Sequence, residues 1–197
     1  MNPKDFLILL IVSFLWGGSF LFIRLLVLEG MEPLESVSMR MLLASIFILP
    51  FLLTRSKKHS FKDHSLSFLL IGILNTALPF TLFAYASLQL GAGSLSVLQA
   101  TVPILTALIL FSLFKNEFSI SKLIGVLIGF VGLYVLVGPG SNFDLFSSIL
   151  CVVASLSYAV AGVYLARTPN NLNNTYIGMG SIIIGAIIPV SYTHLTL

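Results

Sequence analysis

Polar side chains inside strongly apolar stretches are the residues of this chain whose types and spacing could do chemistry. Asn75 and Pro79 lie four positions apart in one such stretch, and Gln99 and Pro103 lie four apart in another. Residues with this spacing share a helix face, and a proline inside a helix frees a carbonyl that needs another partner. Two such faces favour a polar cavity for a small molecule. Interhelical hydrogen bonding explains Asn75 and Gln99 equally well.

A third group stands at the centre of the first apolar stretch, in Trp16-Gly17-Gly18-Ser19. A later stretch echoes it, with Tyr158 placed before small residues. A simple membrane anchor needs none of these, whereas a helix that packs closely and borders a cavity uses them all. The predicted lining of a substrate cavity is therefore Trp16, Gly17, Ser19, Asn75, Pro79, Gln99, Pro103 and Tyr158.

Three charged residues are candidates for structural or gating roles. Arg24 and Arg40 lie in apolar stretches, about a turn from one end, so that their head groups can extend to the membrane surface. The glutamates between positions 29 and 35 are close enough to pair with them, and binding of an anionic substrate group is the other interpretation. Glu117 follows an apolar stretch at the interface, where we expect a solvated or loop-pairing role.

Gly125, Gly129 and Gly132 repeat at helical spacing and predict close helix packing, either within the chain or in a homodimer seam. Among groups that could do catalysis, the chain has a single cysteine, Cys151, and three histidines without ligand spacing. No nucleophile–base pair, phosphate loop or metal cluster occurs in the sequence. We therefore predict no metal, no cofactor and no enzymatic activity, and we treat an intramembrane enzyme as disfavoured.

Composition identifies the elements that must position these residues. Hydrophobic residues make up 57% of the 197 positions and charged residues only 9%, with a mean hydropathy of +1.06. Soluble domains carry about 25% charged residues, so the chain is predicted to be an all-α polytopic membrane protein in contact with lipid and not with nucleic acid. The predicted spans are 6–28, 35–54, 66–88, 92–114, 120–138, 146–166 and 176–190.

The distribution of charge predicts the orientation in the plasma membrane. A cytoplasmic N-terminus places these cations inside: Lys4, Arg55, Lys57, Lys58, Lys62, Lys115, Lys122 and Arg167. The outer loops then hold no lysine or arginine, and their charged residues are Glu29, Glu32, Glu35 and Asp144, as the positive-inside rule expects. Because five spans precede residue 139, the sixth span crosses the membrane in the opposite direction to the first. This arrangement is typical of transporters built from inverted repeats. The expected units are a first repeat over 4–139, the start of a second over 143–190, and a candidate non-native tail over 191–197, in a chain expected to be truncated.

Four motifs carry a resemblance to a known family: Leu15-Trp16-Gly17-Gly18-Ser19-Phe20, the run from Pro33 to Arg40, the run from Thr101 to Glu117, and the glycines at 125, 129 and 132. In their order and spacing they resemble the EamA-type transporters of the drug/metabolite transporter superfamily. The resemblance implies ten helices in two inverted five-helix repeats around a central cavity. It places Trp16, Gly17 and Ser19 at that cavity with Asn75 and Pro103 near it, and it gives Arg40 and Glu117 architectural roles.

The function implied by this resemblance is secondary transport of small metabolites or drugs across the cytoplasmic membrane by alternating access. The alternative from another class is a membrane scaffold that uses its glycine-rich helix interfaces for assembly and transports nothing.

Overall fold

The structure is a computed structural model that describes residues 2–56, 61–113, 119–137, 144–167 and 174–195, and within those ranges every regular element is a helix. The helices are α1 (Pro3–Leu28), α2 (Pro33–Ser56), α3 (Phe61–Gly72), a π-helical turn (Ile73–Ala77), α4 (Leu78–Ala86), α5 (Ala92–Gln99), α6 (Val102–Leu113), α7 (Ile120–Val137), α8 (Leu145–Arg167) and α9 (Asn174–Leu195).

Five helical stretches of the described chain are long and apolar enough to cross a membrane: Pro3–Leu28, Pro33–Thr54, Ser65–Ala86, Ala92–Leu113 and Leu145–Arg167. Two more predicted spans, 120–138 and 176–190, overlap the shorter apolar helices Leu123–Gly132 and Thr175–Ile187. The all-helical class is thus confirmed, and the lengths of the apolar helices are consistent with a polytopic membrane protein, whereas the number of spans and the repeats remain predictions. The helix α9 runs on to Leu195, into the segment whose polar sequence predicted a tail without periodicity.

The connection between α1 and α2 is a tight helix stop built on Gly30. This residue has φ of +91°, a left-handed conformation that glycine adopts without a steric penalty. Its N–H binds the carbonyl of Val27 at 3.1 Å, and the N–H of Met31 binds the carbonyl of Leu26 at 3.0 Å. These two bonds form a Schellman motif, and Pro33 then opens α2 at a position that needs no N–H. The chain therefore enters α2 after only four residues.

The π-helical turn between α3 and α4 follows from Pro79. The N–H of Leu78 binds the carbonyl of Ile73, five residues back. If the pattern continued, residue 79 would bind the carbonyl of Leu74, but proline has no N–H. The hydroxyl of Ser157 in α8 donates to that carbonyl instead, at 2.5 Å. A neighbouring helix thus satisfies the carbonyl that the proline leaves free.

A second interruption separates α5 from α6, just before Pro103. Here the carbonyl of Leu98 accepts hydrogen bonds from two hydroxyls. One belongs to Thr101 of the same span, at 2.6 Å, and the other to Ser155 of α8, at 3.1 Å. Ser155 and Ser157 therefore each satisfy a carbonyl at a helix interruption, on two different neighbours of α8. These bonds hold α8 against the π-helical turn and α5, both of which it contacts.

Close helix contact occurs where α9 crosses α3 and the π-helical turn. A Cβ built on Gly185 would lie 2.8 Å from the Cβ of Thr76 and 2.9 Å from the carbonyl of Gly72. A Cβ on Gly180 would lie 2.6 Å from the ring of Phe68. These glycines permit the approach of the two backbones. The α9 helix also packs on α2, so that α2, α3 and α9 form one side of the bundle.

Candidate functional site

A cleft of about 470 Å³ opens between α1, the π-helical turn, the interrupted α5–α6 span and α8. Its lining residues are Trp16, Asn75, Ser96, Gln99, Ala100, Val102, Pro103 and Tyr158. The volume is within the range of small-molecule sites. Trp16, Asn75, Gln99, Pro103 and Tyr158 belong to the predicted cavity, and each stands near the middle of its span. The cleft therefore lies at mid-depth of the helices.

Both helix interruptions border this cleft. The π-helical turn carries Asn75, and the break between α5 and α6 lies between Gln99 and Pro103. Irregular backbone at the depth of a membrane is tolerated where it is buried in protein or lines a cavity, and π-helical turns occur frequently at functional sites. The local distortion that Pro79 and Pro103 impose is thus located at the residues with amide side chains.

A side-chain hydrogen bond from the indole of Trp16 joins two of the helices that line the cleft. Its Nε1 donates to Oε1 of Gln99 at 3.1 Å. Because the amide oxygen of Gln99 faces the indole, the amide nitrogen keeps two N–H donors for other partners. Asn75 and the phenol of Tyr158 make no side-chain hydrogen bond to any residue that the structure describes. The cleft thus combines an apolar wall with a few polar groups that can orient a ligand.

A second, smaller pocket of about 10 Å³ lies behind this wall. It shares Trp16, Gln99 and Tyr158 with the cleft, and its remaining lining residues are Ser19, Phe20, Ile23, Arg40, Phe80 and Phe83. The volume holds about one water molecule. The guanidinium of Arg40 lies 4.5 Å from the centre of the Phe80 ring, a cation–π distance.

Three predicted cavity residues have other positions. Ser19 lines the small pocket, and its hydroxyl donates to the carbonyl of Trp16 at 2.7 Å. Pro79 is fully buried and acts on the cleft through the backbone rather than by contact. Gly17 is exposed and is not part of either pocket lining. The side chains of Ser96, Ala100 and Val102 were not in the predicted lining, although Ser96 shares the helical face of Gln99 and Pro103.

The two arginines do not form the expected pairs with carboxylates. Arg24 donates to the backbone carbonyl of Ser87, the residue that caps the C-terminus of α4. A cation there stabilises a helix end because the last carbonyls carry partial negative charge. Arg40 stacks on Phe80. Within the described ranges no carboxylate lies at ion-pairing distance from either guanidinium. Glu117, the third charged candidate, is outside the described residues.

The predicted packing glycines of α7 have no close neighbour among the residues that the structure describes. A Cβ built on Gly125, Gly129 or Gly132 meets nothing within 4 Å. The helix contacts α5 and α6. These three residues therefore make no close side-chain contact with the part of the chain that the structure describes, and both close packing and a homodimer seam remain predictions. The glycines that do permit close approach, in α3 and α9, are not spaced as a G-x-x-x-G motif, although Ser181 and Gly185 show the weaker small-x-x-x-small pattern.

A model of the EamA-like transporter family matches residues 4–138 of the chain, which confirms the resemblance of its motifs. Uncharacterized inner membrane transporter YedA of Escherichia coli K12 is 32% identical over 156 residues, 78% of this chain and 50% of that protein. An uncharacterized transporter of Archaeoglobus fulgidus is 29% identical over 168 residues, 81% of this chain and 56% of that protein. Uncharacterized transporter YoaV of Bacillus subtilis is 22% identical over 189 residues, 93% of this chain and 64% of that protein.

The chain spans about half the length of the curated relatives it matches. No solved structure matches it. The family and the names of the relatives indicate a transporter rather than an enzyme. Together with the apolar helices they indicate an integral protein of the plasma membrane.

Proposed function

The chain belongs to the EamA-like transporter family, and we propose that it is a secondary transporter, a permease or exporter of small metabolites or drugs. The observation that carries this proposal is the cleft at mid-depth of the helices, where two interrupted spans and two aromatic residues meet. Substrate sites of secondary transporters lie near the bilayer midplane and are typically formed by discontinuous helices. The proposed substrate is therefore a small molecule with an apolar body and a few polar groups.

The proposed mechanism is alternating access in the whole protein. Two inverted five-helix repeats, ten helices in all, would rock about the cleft and expose it in turn to each side of the membrane. Gradients of substrate or of an ion would drive the movement, because no phosphate-binding loop occurs in the chain. The helices described here would supply the first repeat and the start of the second.

Uptake into liposomes tests the proposal. The protein as the cell makes it is reconstituted, and uptake of a broad panel of metabolites and drugs is measured per amount of folded protein. We expect Asn75→Leu and Gln99→Leu to reduce uptake more than they reduce expression in the membrane, because both amides line the cleft. Ser112→Ala serves as the matched control, since its hydroxyl is exposed and bonds only to its own helix at Leu108.

One observation favours the scaffold alternative, namely the open glycine face of α7 at positions 125, 129 and 132. A scaffold would use that face for assembly and would move no substrate. Well-folded protein that transports nothing from the panel would support the scaffold and contradict transport. Equal losses of uptake and expression in the two amide variants would show that Asn75 and Gln99 only pack.

The proposed orientation, with the N-terminus in the cytoplasm, is testable because the one cysteine of the chain is fully buried. Exposed residues at opposite ends of α1 are replaced by cysteine, Asp5 at one end and Glu32 at the other. In intact cells a membrane-impermeant maleimide should label Glu32→Cys but should label Asp5→Cys only after lysis. The reverse pattern would overturn the orientation.

A further inference from the structure

Among the described residues that line the cleft and the small pocket, Arg40 is the one with a charged side chain. Aromatic residues surround it, with the ring of Phe80 at 4.5 Å from the guanidinium. A guanidinium has five N–H donors, and Arg40 makes no hydrogen bond or ion pair to any residue in the described ranges. A half-buried cation without a counter-charge is costly within a membrane. An anionic group would offset that cost if it came within reach.

The side chains that separate Arg40 from the cleft can rotate and contact other groups. Gln99 and Tyr158 line both pockets, and Trp16 holds the amide oxygen of Gln99 through the 3.1 Å hydrogen bond. The small pocket, at about 10 Å³, is too small for a carboxylate while Gln99 keeps this position. Rotation of Gln99 away from Trp16 would join the two pockets and turn its amide N–H groups towards an anion.

We propose that Arg40, Gln99 and Tyr158 form a subsite for the carboxylate of the transported molecule, whose apolar part lies in the cleft. A carboxylate accepts two parallel hydrogen bonds from a guanidinium, and such charge-assisted bonds are stronger than neutral ones. The apolar part would contact Ala100, Val102 and Pro103, which line the cleft together with Gln99. The substrate class is then small amphipathic monocarboxylates. This inference rests on the proposed function, because it assigns a substrate group to the same cleft.

The test uses the fluorescence of Trp16, the one tryptophan in the 197 residues, because a carboxylate that displaces Gln99 changes the surroundings of the indole. The protein as the cell makes it is titrated with phenylacetate and hexanoate and with their neutral amides, phenylacetamide and hexanamide. We expect each acid to bind at least about tenfold more tightly than its amide. In Arg40→Gln the acid and the amide should bind equally, while Arg40→Lys should keep part of the preference.

Arg24→Gln is the matched control, because it removes an arginine that lines neither pocket and contacts the end of α4 at Ser87. The ratio of acid to amide affinity should be unchanged in this variant. Because a ratio is compared, a lower folded fraction does not affect the result. Equal affinity for acid and amide in the unmodified protein, a preference that survives in Arg40→Gln, or no binding of either compound would overturn the subsite. The transporter proposal would then be tested separately, by uptake of neutral and cationic compounds into liposomes.

Discussion

The indole Nε1 of Trp16 and the amide Oε1 of Gln99 are joined by a hydrogen bond of 3.1 Å, which links α1 to α5 across the wall of the cleft. The α1 helix buries few of its own residues, chiefly Phe20 and Ile23. Polar contacts therefore matter for its position, and the bond from Arg24 to the end of α4 is the other one. Trp16 lines both pockets, whereas Arg24 lines neither of them.

A double-mutant cycle should measure the coupling between Trp16 and Gln99. Trp16→Phe and Gln99→Leu each remove the bond, so that the double variant should be little less stable than either single variant. We expect a coupling free energy of about 0.6–2 kcal/mol, the range for polar contacts between membrane helices. Thermal unfolding in detergent provides the measurement. The pair Trp16→Phe and Ser112→Ala should be additive, and additivity of both cycles would show that the bond does not contribute to stability.

Ser157→Ala should destabilise the protein because it leaves the carbonyl of Leu74 without the donor that replaces the missing N–H of Pro79. A buried acceptor without a partner costs about 1–3 kcal/mol. The comparison is Ser148→Ala, whose hydroxyl bonds to the carbonyl of Asp144, the residue just before its own helix. Pro79→Ala restores a backbone N–H, so Ser157→Ala should cost less in that background. A similar cost in both backgrounds would contradict the link between the proline and the serine.

The helices could be predicted because their formation depends on residues that lie close together in the sequence. Apolar runs bounded by glycine, proline and polar residues mark each span, and α1 ends at Leu28, as predicted. Much of the cleft could be predicted as well, because Gln99 and Pro103 share one helical face and Trp16 stands in the middle of its span. Residues with this periodicity face a common side without knowledge of the neighbouring helix.

Contacts between helices could not be predicted, since they depend on which helix lies opposite. The G-x-x-x-G of Gly125 and Gly129 faces no described part of the chain, whereas Gly185 has a partner helix. Arg24 was expected to pair with a glutamate nearby in sequence, yet its partner is the carbonyl of Ser87, which is distant in sequence. Pro79 predicts a free carbonyl, but the sequence does not say that Ser157 satisfies it.

Gly185→Ala should be destabilising, since the added Cβ would lie 2.8 Å from the Cβ of Thr76 and 2.9 Å from the carbonyl of Gly72. The two helices would have to separate, and overpacking of this kind costs about 1–3 kcal/mol. Gly178→Ala is the matched control on the same helix, because its Cβ would meet nothing within 4 Å. Alanine favours helix there by up to about 1 kcal/mol. Equal melting temperatures for the two variants would refute the close crossing of α9 and α3.

Stability should depend on pH through Asp144, which precedes α8. Its carboxylate accepts the backbone N–H of Ser147 at 2.8 Å, and this bond lowers the pKa of Asp144 from the ordinary value of 3.8. A carboxyl whose pKa is lower in the folded protein adds stability above its ordinary pKa, and the contribution is lost as the pH falls through the lowered value. Asp144→Asn keeps an oxygen acceptor at every pH. Between about pH 6 and about pH 3 the melting temperature of the unmodified protein should therefore fall more than that of the variant. Parallel curves for the two proteins across this range would contradict the role of Asp144 as a charged helix cap.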